Sequence, residues 1–217
     1  MQSIILSRRD FREFDQIISV YTKEKGKAEL LARGVKKITS KNSAHLESFS
    51  FVDIEIAPGK GIGHLTKVQP INYFVNIRQD LQKSLSAGYV VSLLDKILHV
   101  GEKDGRIFEL LRSWLDSLNI PASPAGRQYQ ISNIQLSLDG FIVKLLNCLG
   151  YDITQVSGLD LELKKNFELL KNSDWGVILD LGVMSLDYQR SHEFIYNFLV
   201  ERLERKVVDW GQKIGCG

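Results

Sequence analysis

Basic and aromatic side chains are interleaved in the first part of this 217-residue chain. Cations spaced along a segment bind the phosphates of a nucleic acid, and aromatic rings offer planes on which its bases stack. The interleaving therefore predicts a nucleic-acid-binding surface, and we expect cations from three separate segments, residues 8–12, 23–27 and 33–41, to converge on one side of the folded domain. The candidate binding residues are Arg8, Arg9, Arg12, Lys23, Lys25, Lys27, Arg33, Lys36, Lys37 and Lys41.

The aromatic residues of this region are open to two interpretations. Their rings either stack on bases or fill the core of a small domain, and the sequence leaves both open. The cations likewise either bind phosphates or only keep the surface soluble, although their clustering favours phosphates. The rings in question are Phe11, Phe14, Phe49 and Phe51.

The charge of the chain is unevenly distributed. Residues 1–80 hold 13 Lys and Arg against 9 Asp and Glu, whereas residues 81–217 hold 15 against 17. This asymmetry indicates an anionic partner for the N-terminal part.

Few residues are spaced for catalysis. The Gly-rich segment 59–63 lacks the Lys-Ser/Thr pair of a phosphate-binding loop and a helix after it, so it is interpreted as a turn. The acidic residues of segment 10–15 alternate with arginines, which is typical of a salt-bridged turn. We predict no catalytic residue. An enzyme stays a third interpretation, which a pocket with buried polar side chains would revive.

Metal, disulfide and membrane signals are equally weak. Cys148 and Cys216 are far apart, and the four histidines show no metal-ligand spacing. Because tetrahedral zinc needs about four nitrogen or sulfur ligands, we expect no zinc site, no structural disulfide and no cofactor. No apolar run approaches the ~18 residues of a membrane span or forms a secretory signal. We expect a soluble, intracellular protein.

The pattern of the first 75 residues is that of short strands. Segment 51–56 places Val52, Ile54 and Ile56 on one face and acidic residues on the other, which marks a half-buried antiparallel strand. Five short strands with tight connections suit a small closed barrel such as the OB-fold. The first predicted strand begins at Ile4. The other four span residues 16–22, 27–33, 51–56 and 64–68.

Beyond about residue 76, apolar residues recur at three- and four-residue spacing, which predicts core-facing helices. The predicted helices span residues 81–97, 108–118, 131–149, 159–170 and 194–203. We predict an α+β protein in which an N-terminal OB-fold β-barrel, residues 1–78, precedes an all-helical C-terminal domain, residues 79–217. Apart from the helix over residues 159–170, the structure of residues 152–188 stays open.

The N-terminal part resembles RecO, a family of bacterial recombination mediators. The resemblance is specific in the first 75 residues and covers most of the chain more weakly. It is carried by segments 5–15 (ILSRRDFREFD), 21–27 (YTKEKGK) and 31–37 (LARGVKK), by Ser40, by the strand from Leu46 to Glu55, by Tyr73-Phe74 and by Leu149-Gly150-Tyr151.

The resemblance implies an OB-fold followed by a helical domain. It also implies binding of single- and double-stranded DNA, annealing of complementary strands, partnership with RecR, and action on SSB-coated strands so that RecA loads. A protein of this family would be cytoplasmic and associated with the nucleoid. Its DNA contacts would fall on Arg8, Arg9, Arg12, Lys23, Lys25, Lys27, Arg33, Lys36 and Lys37.

Two departures from the family pattern concern local structure. Many relatives carry a four-cysteine zinc module after the Leu-Gly-Tyr junction, but residues 152–184 contain no cysteine. The usual Leu-Gln-Pro before the fourth strand is Leu46-Glu47-Ser48 here. Neither change removes a basic residue of the predicted DNA-binding surface.

The sequence thus predicts a DNA-binding recombination mediator without catalytic activity. The alternative is a protein-interaction adaptor without strong DNA binding of its own. Its helical domain would dock RecR and the acidic tail of SSB. The candidate residues for the tail are Arg202, Arg205 and Lys206.

Overall fold

A computed structural model describes most of the chain. The described residues are 1–37, 43–121, 131–181, 188–204 and 207–211. Three of the predicted site residues, Lys41, Arg205 and Lys206, lie outside them.

The chain divides into two compact units. The first comprises Met1–Val75 with Ala87–Arg112, and the second comprises Asn76–Ser86 with Ser113–Gly217. A helical segment therefore belongs to the same unit as the N-terminal strands. The predicted domain boundary near residue 78 stays a prediction.

The first unit contains a closed five-stranded barrel. Its strands are β1 (Gln2–Asp10), β2 (Gln16–Thr22), β3 (Gly26–Ala32), β4 (Phe51–Ala57) and β5 (Gly63–Asn72). They pair in the order β1-β2-β3-β5-β4, and β1 pairs with β4 to close the sheet. Only the β3–β5 pairing among these is parallel. This small closed barrel is OB-like, so the predicted α+β fold with an N-terminal barrel is confirmed.

The barrel interior is filled by aliphatic side chains, as the strand patterns require. Along β4, Val52 and Ile54 are buried whereas Asp53 and Glu55 are exposed, because successive side chains of a strand point to opposite faces. The other buried core residues are Ile5, Ile18, Val20, Leu30, Ala32, Val35, Leu46 and Val68.

The helices follow the barrel in sequence. They are α1 (Val75–Arg78), α2 (Leu81–Ile97), α3 (Gly105–Leu118), α4 (Ile131–Cys148), α5 (Leu161–Asn172), α6 (Trp175–Asp180) and α7 (Tyr188–Leu203). Short 3-10 turns span Ser43–Leu46 and Ile153–Gln155.

In the second unit, α4 packs against α5, α6 and α7. Its Phe141 ring lies 5.2 Å from that of Trp114, and both side chains are fully buried. The segment that the sequence left open contains α5 and α6. Asp160 begins α5, because its carboxylate accepts a hydrogen bond from the Leu163 backbone N–H.

Within the described residues, none of the helices combines the length and the apolar composition that crossing a membrane would require.

Candidate nucleic-acid interface

Two of the three predicted basic segments meet at one end of the barrel. Gln16, the first residue of β2, pairs with the last residue of β1, Asp10, and with the last residue of β3, Ala32. The turn between β1 and β2 and the turn after β3 are therefore neighbours. The Lys36 N–H donates to the Phe14 carbonyl oxygen at 3.1 Å, and the Gly34 N–H donates to Asp15 Oδ1 at 2.8 Å.

Exposed side chains of these two turns form what we call the turn surface. It contains four cations, two aromatic rings and one carboxylate: Phe11, Arg12, Glu13, Phe14, Arg33, Lys36 and Lys37. No carboxylate of the described residues lies at ion-pair distance from Arg12, Arg33 or Lys37. Lys36 pairs with Asp10 at 2.7 Å. Hydrogen bonds from Gln16 and then Lys36 hold the pKa of Asp10 below its usual value.

The two rings of the turn surface face solvent. Phe11 is 49% exposed and Phe14 is 43% exposed, whereas Phe49 and Phe51 are buried. Each exposed ring lies beside a cation. The Arg12 guanidinium carbon is 5.2 Å from the Phe11 centroid, and Lys37 Nζ is 5.6 Å from the Phe14 centroid. The core interpretation therefore fits only Phe49 and Phe51.

Two further arginines of β1 are exposed but paired. Arg8 contacts Glu47 at 2.8 Å, and Arg9 contacts Glu29 at 3.1 Å. Exposed ion pairs of this kind contribute little to stability because water and salt screen them. Their guanidinium groups can therefore exchange a carboxylate for a phosphate.

The third basic segment lies at the other end of the strands. Lys23 and Lys25 occupy the hairpin between β2 and β3, whereas the turn surface adjoins the opposite ends of these two strands. Each strand has seven residues, so the separation is about 20 Å at ~3.4 Å per residue. Lys23 also pairs with Glu109 at 2.8 Å. The three segments do not converge on one surface.

Lys27 is not an exposed cation. Its side chain is 9% exposed, and its ammonium contacts Asp95 Oδ1 at 3.1 Å. It also donates to the carbonyl oxygens of Leu98, at 3.1 Å, and of Asp95. These groups replace the water shell of the ammonium, so Lys27 has no exposed charge for a phosphate. We therefore leave it out of the candidate interface.

Asp95 joins Lys27 to the barrel. Its carboxylate accepts hydrogen bonds from the Ser7 hydroxyl at 2.7 Å and the Ser19 hydroxyl at 2.5 Å. Burial alone would raise the pKa of Asp95, but these hydrogen bonds and the Lys27 ammonium lower it. The group is a stabilising polar network of the first unit.

The predicted protein-partner residues give little information about a binding site for the acidic tail. Arg202 is the only one of the three within the described residues. Its guanidinium carbon lies 4.9 Å from the Phe198 centroid, and its Nη1 is 3.9 Å from Glu201. These contacts place Arg202 on the surface of α7.

A buried polar cluster in the second unit was not predicted. His192 Nδ1 is 2.9 Å from Asp139 Oδ1, and His192 Nε2 is 3.0 Å from Asp209 Oδ1. Trp210 Nε1 also donates to Asp139 Oδ1, at 2.7 Å. The cluster adjoins an open cleft of about 570 Å³, which Tyr188 also lines.

The geometry around His192 fits a structural role better than acid–base catalysis. We call the ion pairs of His192 with Asp139 and Asp209 the ion-pair lock. Both ring nitrogens face carboxylates, so a doubly protonated ring satisfies both and leaves no nitrogen free as a base. Burial alone would lower the pKa of His192, but the hydrogen bonds and charges of Asp139 and Asp209 raise it to about 9. Burial raises the pKa of Asp139, although hydrogen bonds from His192 and Trp210 oppose this. No sequence signal links these residues, which lie far apart in the chain.

Among the described residues, no group of three or more His, Cys, Asp or Glu side chains is arranged to hold a metal ion. Cys148 is not part of a disulfide within the described residues, and Cys216 lies outside them. The chemistry that the described surface supports is binding of a polyanion at the turn surface.

Comparison with known proteins identifies similar chains. Residues 1–74 match the family model "Recombination protein O N terminal". The chain is 33% identical to the DNA repair protein RecO of Geobacter sulfurreducens over 154 residues, which is 70% of this chain and 59% of the relative. It is 29% identical to the DNA repair protein RecO of Desulforamulus reducens over 167 residues, which is 76% of this chain and 61% of the relative.

The matched regions thus span about three fifths of the length of these relatives. A third similar protein, the DNA repair protein RecO of Dehalococcoides mccartyi, is 33% identical over 150 residues, or 69% of this chain. The barrel and its basic turns fall within the residues that match the family model. The chain therefore contains the N-terminal domain of the RecO family, and its similarity to RecO proteins extends over most of its length.

Proposed function

We propose that this protein binds DNA through the turn surface and acts in DNA repair and recombination. The observation that carries the proposal is the juxtaposition of two basic turns, which flank two exposed aromatic rings with four cations. The names of the similar proteins, DNA repair protein RecO, support the same role. Binding of single strands and of duplex would both draw on these cations.

The proposed action is annealing of complementary single strands. Two strands repel each other through their phosphates, and cations that neutralise these charges lower the repulsion. Contacts to phosphates position a strand without reading its sequence, so the base edges stay available for pairing. Annealing by this route involves no covalent step.

We further propose that the protein is a recombination mediator in the cytoplasm, at the nucleoid. Its partners would be RecR and SSB-coated single strands, on which it would help RecA to load. The resemblance to RecO supports these partners, and the helical second unit is where we place protein contacts.

A strand-annealing assay tests the proposal. Two complementary labelled oligonucleotides are mixed with the protein, with and without a coat of SSB, and duplex formation is followed by energy transfer. We expect faster annealing in both cases, and a loss of at least about tenfold in rate for the variant Arg33→Glu/Lys37→Glu. An unaccelerated reaction at a concentration that saturates DNA binding would refute annealing, and absence of DNA binding would refute the proposal altogether.

A further inference from the structure

Two phenylalanines of the turn surface are exposed although their backbone is held in place. The Phe11 N–H donates to the Asp15 carbonyl oxygen at 3.1 Å, and the Phe14 carbonyl oxygen accepts from the Lys36 N–H, also at 3.1 Å. The Asp15 carboxylate is fixed by the Gly34 N–H. The turn is therefore a defined structure that presents two rings to water.

Exposure of these rings is costly without a ligand. The three other phenylalanines of residues 1–75, Phe49, Phe51 and Phe74, are almost completely buried. Phe11 and Phe14 keep about half of their surface in water, so the hydrophobic effect favours any partner that covers them. The partner must also tolerate the positive charge of Arg12 and Lys37 beside the rings.

The pairing of a ring with a cation matches a nucleotide. A base supplies an aromatic face for the ring, and its phosphate supplies a negative charge for the cation. This arrangement occurs twice at the turn surface, at Phe11 with Arg12 and at Phe14 with Lys37. A duplex offers the phosphates but not the faces of its bases, because these are stacked on one another.

We propose that Phe11 and Phe14 form a stacking site for unpaired bases, which makes the turn surface selective for single-stranded over double-stranded DNA. This inference rests on the proposed DNA binding. Stacking occupies base faces and leaves the pairing edges free, so it is compatible with annealing. It also favours release of the product, since the duplex loses the stacking contacts.

The test compares three ligands of equal length by fluorescence anisotropy with the full chain. They are labelled oligo-dT, the same backbone with abasic sites throughout, and a duplex. The variants are Phe11→Ala/Phe14→Ala and, as a matched control, Phe11→Leu/Phe14→Leu, which keeps apolar side chains but removes the aromatic planes.

We expect the wild-type protein to bind oligo-dT at least about tenfold more tightly than the abasic strand. Both double variants should lose most of this preference, because their affinity for oligo-dT falls towards their affinity for the abasic strand. The wild-type comparison needs no substitution, so it tests the inference even if a variant fails to fold.

Several results would overturn the inference. Equal wild-type affinity for oligo-dT and the abasic strand would mean that bases do not stack on the rings. Wild-type behaviour of the leucine variant would mean that the rings act as apolar contacts, as for a protein partner. If the wild-type protein bound none of the three ligands, the proposed function itself would fail, which separates that failure from a failure of the stacking site alone.

Discussion

At the residue scale, two lysines of the β2–β3 hairpin carry the same charge in different surroundings. Lys25 is exposed, whereas Lys27, two residues later, is buried against Asp95. A buried ion pair that loses one partner leaves an uncompensated charge in a poorly solvated place. The two lysines therefore differ in what they contribute to the free energy of unfolding.

We predict that Lys27→Met lowers the free energy of unfolding by about 3 kcal/mol, because it leaves the Asp95 carboxylate without its cation. Lys25→Met, the matched control on the same hairpin, should change it by less than about 0.5 kcal/mol. Urea titration followed by circular dichroism gives both values. Equal stability of the two variants would mean that the Lys27–Asp95 pair has no structural role.

His192 predicts a dependence of stability on pH. Its folded pKa of about 9 lies above the unfolded value of about 6.5, so its contribution is complete below pH 6.5 and is lost as the pH rises towards 9. The raised pKa of Asp139 acts in the same direction. The histidine alone should lower the free energy of unfolding by up to about 3 kcal/mol over this interval, at about 1.4 kcal/mol per pKa unit.

Urea titrations at pH 6.5 and pH 9 measure this difference. Asp139→Asn/His192→Gln, which removes both groups with a raised pKa, should abolish most of it, whereas His99→Gln should not, since His99 is exposed and contacts the Glu102 carboxylate at the surface. A wild-type stability that stays level between the two pH values would contradict the ion-pair lock.

At the scale of elements, most strands and helices followed from local patterns, although α1 was not predicted and α7 begins six residues before its predicted start. The alternation of β4 and the β-branched run of β2 predicted both strands to within a residue. Helix α5 was predicted within two residues at either end. Helix α6 was not, because six residues give too little periodicity to separate a helix from a loop.

The pairing of elements could not be obtained in this way. The meeting of the two basic turns depends on the register of β2 with both β1 and β3. The burial of Lys27 depends on Asp95 in α2, which lies 68 residues further along the chain. Sequence indicated which residues carry charge, but only the fold determines which of them share a surface.

Asp15 is one of the residues that join the two turns, and it yields an element-scale prediction. Asp15→Asn removes the charge but keeps the acceptor oxygen for the Gly34 N–H, whereas Asp15→Ala removes both. We expect Asp15→Ala to lose about 1 kcal/mol of stability and to bind single-stranded DNA more weakly. Asp15→Asn should bind at least as tightly as the wild-type protein, because a negative charge near the phosphates is gone.

Thermal unfolding and anisotropy titration with oligo-dT compare the two variants directly. If Asp15→Ala bound DNA as tightly as Asp15→Asn, the alignment of the two turns would not matter for binding.

At the scale of the whole molecule, two groups of exposed cations lie at opposite ends of the barrel. The turn surface holds four cations, and the hairpin holds Lys23 and Lys25. Charges about 20 Å apart are largely independent at physiological salt, because the screening length is only about 8 Å. The two ends can therefore be tested separately.

The most direct measurement is the affinity for labelled oligo-dT as a function of salt concentration, for two variants with the same change in net charge. Arg33→Glu/Lys37→Glu alters the turn surface, and Lys23→Glu/Lys25→Glu alters the hairpin. We predict that the first variant loses at least about tenfold in affinity. Its slope of log affinity against log salt concentration should fall by about one to two units, at roughly 0.7 per phosphate contact. The second variant should stay close to wild type in both quantities. Equal losses in both variants, or an affinity that does not depend on salt, would contradict binding at the turn surface.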